Sequence, residues 1–576
     1  MRNRDTAELL HTIADLLDIK GESPYRVAAY RDAARVIDSL PEDIEEVYKQ
    51  GRLQDLPRIG PSLAQKIGEY LETGKSTYLA KLLPSVPRSV TELLEVPGIG
   101  PRKAQLIHRE LGVKTVKELE EAARDHRLQA VPGIGPITEE KILREVERLQ
   151  QRSGRLLLSV AWPAADEVAE AIRRHPAVQR VDPAGSIRRR KETIGDIDLL
   201  AASTRPSEVV DAFSRLPMVK EIIAKGPVKS SILTSKNLQI DLLVIDPSTY
   251  GAALQHFTGS REHNIALRDL AIRQGYRLSE YGLVSLSDNK LVAGKREEDI
   301  YRALGMQCPP PEMRENRGEI ELAAEGKLPH LVTQSDIKGD LHVHSDWSDG
   351  AATLEEMVKA AIKRGYEYIA ITDHSQSLAV AHGLSVERVR EQHRLIDSLN
   401  EKYAPFRILA STEVEIRGNG TLDYDDEILR EFDIVTASLH SGRGQSRQKV
   451  TERVIRAIRN PNVHILNHPS GRLIGKREPY EVDLEEVIKE AAATGTAIEI
   501  NGSPERLDLN DIWARYAAEM GVLLAISTDA HTPDTLSFVK YSLTVARRAW
   551  LEPRNVLNAM PLPELLATFR RLGKAA

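Results

Sequence analysis

Between Asp340 and His531 the chain carries seven short apolar segments, DLHVHS, YIAITDH, RILASTEVEI, FDIVTASLH, VHILNHP, GTAIEING and VLLAISTDAH, with helical stretches between most of them. This alternation constrains the fold more than any other feature. Strands joined by helical crossovers run parallel and are covered on both faces, so a parallel α/β fold closing into a barrel is expected. Each segment stops at a polar residue. In such a barrel the C-terminal strand ends share one rim, the usual place for an active site.

The polar residues at those ends are metal-ligand types. His342 and His344 alternate on one face of a strand and Asp349 follows in a turn; alone, such a pair is as readily a buried polar pair as a metal site. Asp373-His374, Glu413, His440, His468 and Asp529-x-His531 fall at the other strand ends. Imidazole and carboxylate donors suit Zn2+, Mn2+ or Fe2+, which polarise a phosphoryl group and generate hydroxide near neutral pH. Phosphoester hydrolysis is the expected chemistry. Nine of the sixteen histidines follow Gln334, and the single cysteine, Cys308, rules out both an intrachain disulfide and thiolate zinc clusters.

Upstream, GDIDLL places Asp196 and Asp198 on one side of a predicted strand. Such a pair alone is commonly a solvated face. Asp241, in QIDLLVID, adds a third carboxylate on another predicted strand, and three converging carboxylates call for divalent cations. Two Mg2+ or Mn2+ ions about 3.5 to 4 Å apart suit them. Ten residues before the pair, Gly185 and Ser186 offer a small turn and a hydroxyl, and Arg188 to Lys191 add positive charge that suits phosphate. RLLLSVAW, RVDPAGSI, DIDLLAAS and QIDLLVID read as strands, with WPAADEVAEAIRRH a helix between them. The Pro-rich, charged stretch 308–327 reads as a boundary.

Residues 1 to about 150 read as helices with an internal repeat: LPRIGPSLAQKI (56–67), VPGIGPRKAQLI (96–107) and VPGIGPITEEKI (131–142). Glycine permits a left-handed turn, proline starts the next helix, and free backbone N–H groups suit phosphate oxygens. One copy alone is an ordinary turn between packed helices; three copies favour gripping a nucleic-acid backbone. Arg58 stands where the other copies have Gly98 and Gly133. The net charge of −6 argues weakly against a uniformly basic coat and leaves local positive surface open, so overall charge decides nothing. With no apolar run long enough to span a bilayer and no secretory signal, a cytoplasmic protein without membrane association is expected.

These repeats resemble helix-hairpin-helix motifs, and GSIRRRKETIGDIDLL (185–200) closely resembles the nucleotidyltransferase signature of family X DNA polymerases. That resemblance implies that Ser186 and Arg189, with Gly185, contact an incoming deoxynucleoside triphosphate, that Asp196 and Asp198 hold both metals, and that Asp241 completes the site and assists deprotonation of a primer 3′ hydroxyl. FTGSREHNIALRDLAIRQGYRLSEYGL (257–283) is similar to the family's nucleotide-selecting region: Phe257 and Gly259 would flank the sugar, Asn264 would approach the base and Arg268 the template. His256 replaces the usual tyrosine. The first helices resemble the family's lyase domain, with Lys66 as the Schiff-base nucleophile, Tyr30 a matching aromatic, and Arg26 and Ser62 replacing usual lysines. A solvated helix lysine is the alternative.

The segment from Ile337 to Arg571 resembles the polymerase and histidinol phosphatase (PHP) superfamily, a distorted seven-stranded barrel holding up to three metals, and all nine ligand positions are present. By that resemblance His342, His344, Glu413 and Asp529 hold one ion, Glu413, His440 and His468 a second, and Asp349, His374 and His531 a third. His382, His393 and His464 match no motif position. The implied organisation is an all-α helix-hairpin-helix region (1–80 lyase-like, 81–152 fingers-type), an α+β nucleotidyltransferase core (153–250 palm, 251–318 nucleotide-selecting), a linker (319–336) and an α/β PHP barrel (337–576). A monomeric repair polymerase acting on gapped or primer-template DNA is expected, with a 3′-end exonuclease, and with abasic-site cleavage and lyase activity as further expectations. A DNA-end scaffold and a phosphatase of a small ester are the rival readings.

Overall fold

The computed structural model describes the chain except residues 1–2, 21, 39, 41–43, 74–75, 83–92, 94–95, 97–98, 100, 137, 144–145, 147–154, 443, 478 and 573–576. The chain divides into two compact units, residues 1–154 and 155–576.

The first unit is helical. Helices Asn3–Ile19, Pro24–Asp38 and Pro61–Thr73 bury Leu10, Ile13, Leu17, Ile37 and Ile67 in one core. The repeats share one turn: the isoleucines Ile59, Ile99 and Ile134 are buried, and each donates its N–H three residues back, to Leu56, Val96 and Val131. Arg58 has φ of 68° and Gly133 of 85°, so the first copy keeps the left-handed turn without the glycine that relieves it. Gly98 lies outside the described residues.

In the second unit five strands, β1 (Arg180–Pro183), β2 (Ile197–Ala202), β3 (Val219–Lys225), β4 (Lys229–Thr234) and β5 (Gln239–Ile245), form a sheet of order β1-β2-β5-β4-β3. β2 and β5 are parallel, with Asp198 opposite Asp241, and the other pairs are antiparallel. Alternation sorts the faces of β2: Leu199 and Ala201 pack with Val168, Val209 and Phe213 of helices Leu158–Arg173 and Pro206–Ser214, whereas Leu200 and Ala202 pack with Tyr250 and Leu254 of helix Tyr250–Thr258. Asp198, in register with Leu200 and Ala202, shares that second face.

Two expectations need correction. RLLLSVAW is a strand only at Leu156–Leu157; from Leu158 it is helical, because its continuous apolar run packs as the buried stripe Leu158, Ala161, Ala165 and Val168. The stretch 319–336 is no free linker. Helix Glu319–Ala324 buries Ile320 and Ala323 in the cluster that holds Tyr301 and Leu304, and the N–H of Val332 donates to Leu551 O at 2.8 Å.

The seven apolar segments become β6 (Gly339–Val343), β7 (Tyr368–Ile371), β8 (Arg407–Glu415), β9 (Ile434–Ser438), β10 (Ile465–Leu466), β11 (Ala497–Asn501) and β12 (Leu524–Ser527), parallel and in chain order. The first and last meet through a single bridge, Val343 to Ala530, which makes the barrel nearly closed. No helix among the described residues is long and apolar enough to cross a membrane.

Candidate metal centres

All nine barrel residues converge on one rim, with Glu413 as hub. Its Oε2 lies 3.0 Å from His374 Nδ1, 3.5 Å from His342 Nε2 and 3.6 Å from His344 Nε2; its Oε1 lies 2.9 Å from His468 Nε2 and 3.6 Å from His440 Nε2. Asp529 Oδ1 is 3.4 Å from His344 Nε2 and 3.6 Å from His342 Nε2, and Asp349 is 3.3 Å from His531 and 3.5 Å from His374. Three sets of donors each fall within 4.8 Å of one another: His344, Asp349, His374 and His531; His342, His344 and Asp529; His374, Glu413 and His440. His344 and His374 are thus shared between sets.

The donors fit cations. His344, His374 and His468 each keep a buried Nδ1 without a hydrogen-bond partner; that of His374 is near Glu413 but lacks bonding geometry. Burial disfavours charge on His342, yet Glu499, Glu413 and Asp529 raise it well above the ordinary range. Against the same burial, Glu413 and Asp349 raise His374 to about 10, while burial and then His531 and His374 push His344 down to about 3. Despite burial, the imidazoles hold Glu413 and Asp529 well below the carboxylate range. Imidazoles and carboxylates here favour each other's charged forms, and metal binding exchanges imidazole protons for a cation. Asp529 and His468 both sit at positive φ, 56° and 24°, a strain common at functional sites.

Acids outside the sequence expectation orient these ligands. Glu499 Oε1 lies 2.7 Å from His342 Nδ1, and its Oε2 accepts from the His468 N–H at 2.7 Å. Glu415 Oε2 lies 3.0 Å from His440 Nδ1, and Ser438 Oγ donates to Glu413. Asp373, read above with its histidine neighbour, instead accepts from Ser345, Ser348 and Gln392. Such partners fix ring orientation and raise ligand basicity. A signal was available: Glu413-x-Glu415 puts both acids on one face of β8.

The aspartates form a more open cluster and are not among the donor sets within 4.8 Å. Asp198 is half-buried and Asp196 exposed. Burial, then Asp196 and Asp241, push Asp198 up to about 6 against Lys229, whose Nζ lies 3.4 Å from Asp241. Three like charges gathered against one lysine suit a divalent cation. Gly185, at φ of 57°, lets the loop approach: a Cβ there would stand 3.2 Å from Asp198 Oδ2.

Around this cluster the expected triphosphate and base contacts are engaged within the protein. Arg189 donates to Thr258 O and, at 3.1 Å, to Glu315; Asn264 donates to His256 O at 2.7 Å; Arg268 donates to Asn264 O at 3.1 Å. Phe257 is 39% exposed, open to a ligand, and a Cβ on Gly259 would stand 3.1 Å from Arg189. No motif signalled the pairing beneath them. Arg188 donates to Thr258 and Glu297, and the fully buried Arg314 shares Glu297 at 2.6 Å.

In the first unit, Lys66 Nζ donates to Ser62 Oγ at 2.7 Å and lies 4.8 Å from the Tyr78 ring centre, with Tyr30 stacked parallel to Tyr78. Burial, then Arg26, lowers the Lys66 pKa, the direction a nucleophilic amine needs.

Comparison with known proteins places family models over four stretches: helix-hairpin-helix domain (1–76), SAM-like helix-hairpin-helix tandem (90–148), DNA polymerase beta thumb (253–315) and PHP domain (340–503). The chain is 39% identical over 573 residues to the DNA polymerase/3′-5′ exonuclease PolX of Bacillus subtilis, covering 99% of this chain and all of that one. Two proteins named probable phosphatase match only 38% of this chain: one from Syntrophotalea carbinolica, 31% identical over 90% of its length, and one from Thermoanaerobacter sp., 32% identical over 89%.

Proposed function

Because this chain belongs to the PolX group of family X DNA polymerases that carry a C-terminal PHP domain, we propose that it fills short gaps by template-directed synthesis and trims 3′ ends at a separate phosphoesterase centre. The carrying observation is that the donor sets of the barrel rim share no residue with the aspartates, two of which, Asp198 and Asp241, face each other across the separate sheet of β2 and β5.

Asp196, Asp198 and Asp241 would hold Mg2+ or Mn2+, and the nine barrel residues up to three Zn2+, Mn2+ or Fe2+ ions. Bound there, divalent cations neutralise phosphoryl charge and lower the pKa of an attacking hydroxyl or water. The chain's own residues do the positioning. Gly185 and Ser186 present backbone and hydroxyl to a deoxynucleoside triphosphate, and Arg189 exchanges Thr258 and Glu315 for phosphate oxygens. Asp241 takes part in removing the primer 3′ proton. Phe257 and Gly259 flank the sugar, Asn264 meets the base and Arg268 the template. At the rim, Glu499 and Glu415 hold His342 and His440 in the orientation that aims Nε2 at the cluster.

Two finer readings go with this. The rim centre also cuts at abasic sites, by the same phosphoester chemistry. The lowered Lys66, held between Ser62 and the Tyr30–Tyr78 stack, supports removal of a 5′ deoxyribose phosphate through a Schiff base.

The test is a gapped, 5′-labelled duplex in Mn2+ with and without deoxynucleotides. His342→Ala with His344→Ala should abolish shortening and spare lengthening, and Asp196→Ala the reverse; loss of both activities in both variants sinks the two-centre reading. Hydrolysis of a small phosphate ester faster than of a primer 3′ end would favour the activity named for the barrel-only relatives.

A further inference from the structure

Where the nucleotidyltransferase core meets the barrel, a cleft of about 410 Å3 opens between Arg190, Lys191 and Thr193 on one wall and Asp511, Ile512 and Arg548 on the other. That volume lies within the range of small-ligand sites, about 300 to 1,000 Å3. None of its lining residues belongs to the aspartate cluster or to the nine rim ligands.

The charge of this cleft is unbalanced. Arg155, Arg190, Lys191, Arg317 and Arg548 line it against only Glu192 and Asp511. Both acids are already engaged: Glu192 by Arg472 at 2.6 Å, and Asp511 by Arg317 and Arg548 at 2.9 Å each. Lys191 Nζ has only Glu315, at 3.9 Å. Arg190 stands apart from the others. It has φ of 55°, its guanidinium lies 3.5 Å from the Trp162 ring centre, and its buried Nη1 has no hydrogen-bond partner. Burial accordingly pulls Arg190 and Lys191 below their ordinary values. Glu312 and Asp166 oppose that effect at Arg190, and Glu315 and Asp511 at Lys191, but neither cation has a close ion pair, and desolvated cations so loosely matched are costly unless an anion completes them. The same cleft has an apolar edge, Ile512 and Val545, and Ile512 is 57% exposed.

We propose that this seam is a binding site for a free deoxynucleoside monophosphate, its phosphate held by Lys191, Arg190 and Arg317 and its base laid on Ile512. The proposal stands apart from the catalytic assignments. It concerns binding without metal or turnover, so its failure and theirs are distinguishable.

The test is equilibrium dialysis of labelled dAMP against the full-length protein in excess chelator, at low and at physiological salt. Saturable one-to-one binding is expected. Lys191→Ala should weaken it at least about tenfold, the loss of one charge-assisted contact; Lys191→Arg should restore it, and Ile512→Ala should weaken dAMP but not pyrophosphate. A wild-type protein that binds no dAMP at millimolar concentration overturns the site, as does binding lost in His342→Ala with His344→Ala but intact in Lys191→Ala. Pyrophosphate competing as well as dAMP, or a short single strand displacing dAMP at lower concentration, overturns the mononucleotide assignment. Circular dichroism of each variant verifies folding, and Arg317→Ala provides a second, independent loss of charge.

Discussion

At the scale of single residues, the rim is governed by the acids behind the ligands as much as by the ligands. Glu499 touches both His342 Nδ1 and the His468 N–H, so it sets two donors at once. Glu499→Gln keeps the shape and removes the charge; metal affinity at the barrel should fall about 10-fold to 100-fold, exonuclease rate with it, and primer extension should be unchanged. Metal titration followed by both assays checks this, and extension lost in parallel would refute it. The aspartate cluster gives a pH prediction of definite sign. Asp198 is raised to about 6, so below that pH a proton occupies the group that must be ionised to hold a cation. Mn2+ affinity at the aspartates should be full above about pH 6 and weaken by up to tenfold per unit below it. The fall should be rescued by higher Mn2+, and a Mn2+ titration of extension from pH 5 to 7.5 that shows no shift would refute it.

At the scale of elements, the helix Tyr250–Thr258 takes its place beside β2 only because Gly251 lets it cross another backbone. A methyl at position 251 would overlap the main chain of Arg296, which cannot yield as a flexible side chain would. Gly251→Ala should therefore cost about 1–3 kcal/mol of packing, displace Phe257 and Thr258, and lower extension by about tenfold or more while the exonuclease persists; equal loss of both activities would place the damage elsewhere. What the sequence disclosed at this scale follows from periodicity. The barrel strands were legible because most of the short apolar runs end abruptly on His, Asp or Glu, GTAIEING being the exception, whereas Asp349 follows in a turn and the full set of nine was implied by the resemblance. RLLLSVAW was not, since an unbroken apolar run fits a buried strand and a buried helix equally. Glu297, Glu319 and Arg314 stayed hidden for another reason. Glu297 pairs with Arg188 and Arg314, and Glu319 with His263, all well separated in the chain, and a buried charge looks like a surface charge until its partner is seen.

At the scale of the second unit, the nucleotidyltransferase core and the barrel are joined by buried and half-buried ion pairs in addition to apolar contact. Arg548, only 4% exposed, donates to Arg189 O at 2.8 Å, Glu315 at 3.0 Å and Asp511 at 2.9 Å, so one guanidinium ties residues 189 and 315 to the barrel. Arg472 with Glu192 and Arg547 with Glu312 repeat the device on either side. Removing one partner of such a set leaves the others buried with less compensation, at about 3–5 kcal/mol. Arg548→Ala should lower the calorimetric transition of residues 155–576 by about 3–5 °C, since a unit of this size has a large unfolding entropy, and should split it as the two halves lose cooperativity. Asp511→Ala added to Arg548→Ala should recover part of the loss, because the orphaned acid goes with its partner. An unsplit transition at the wild-type temperature would mean that apolar packing alone holds the seam.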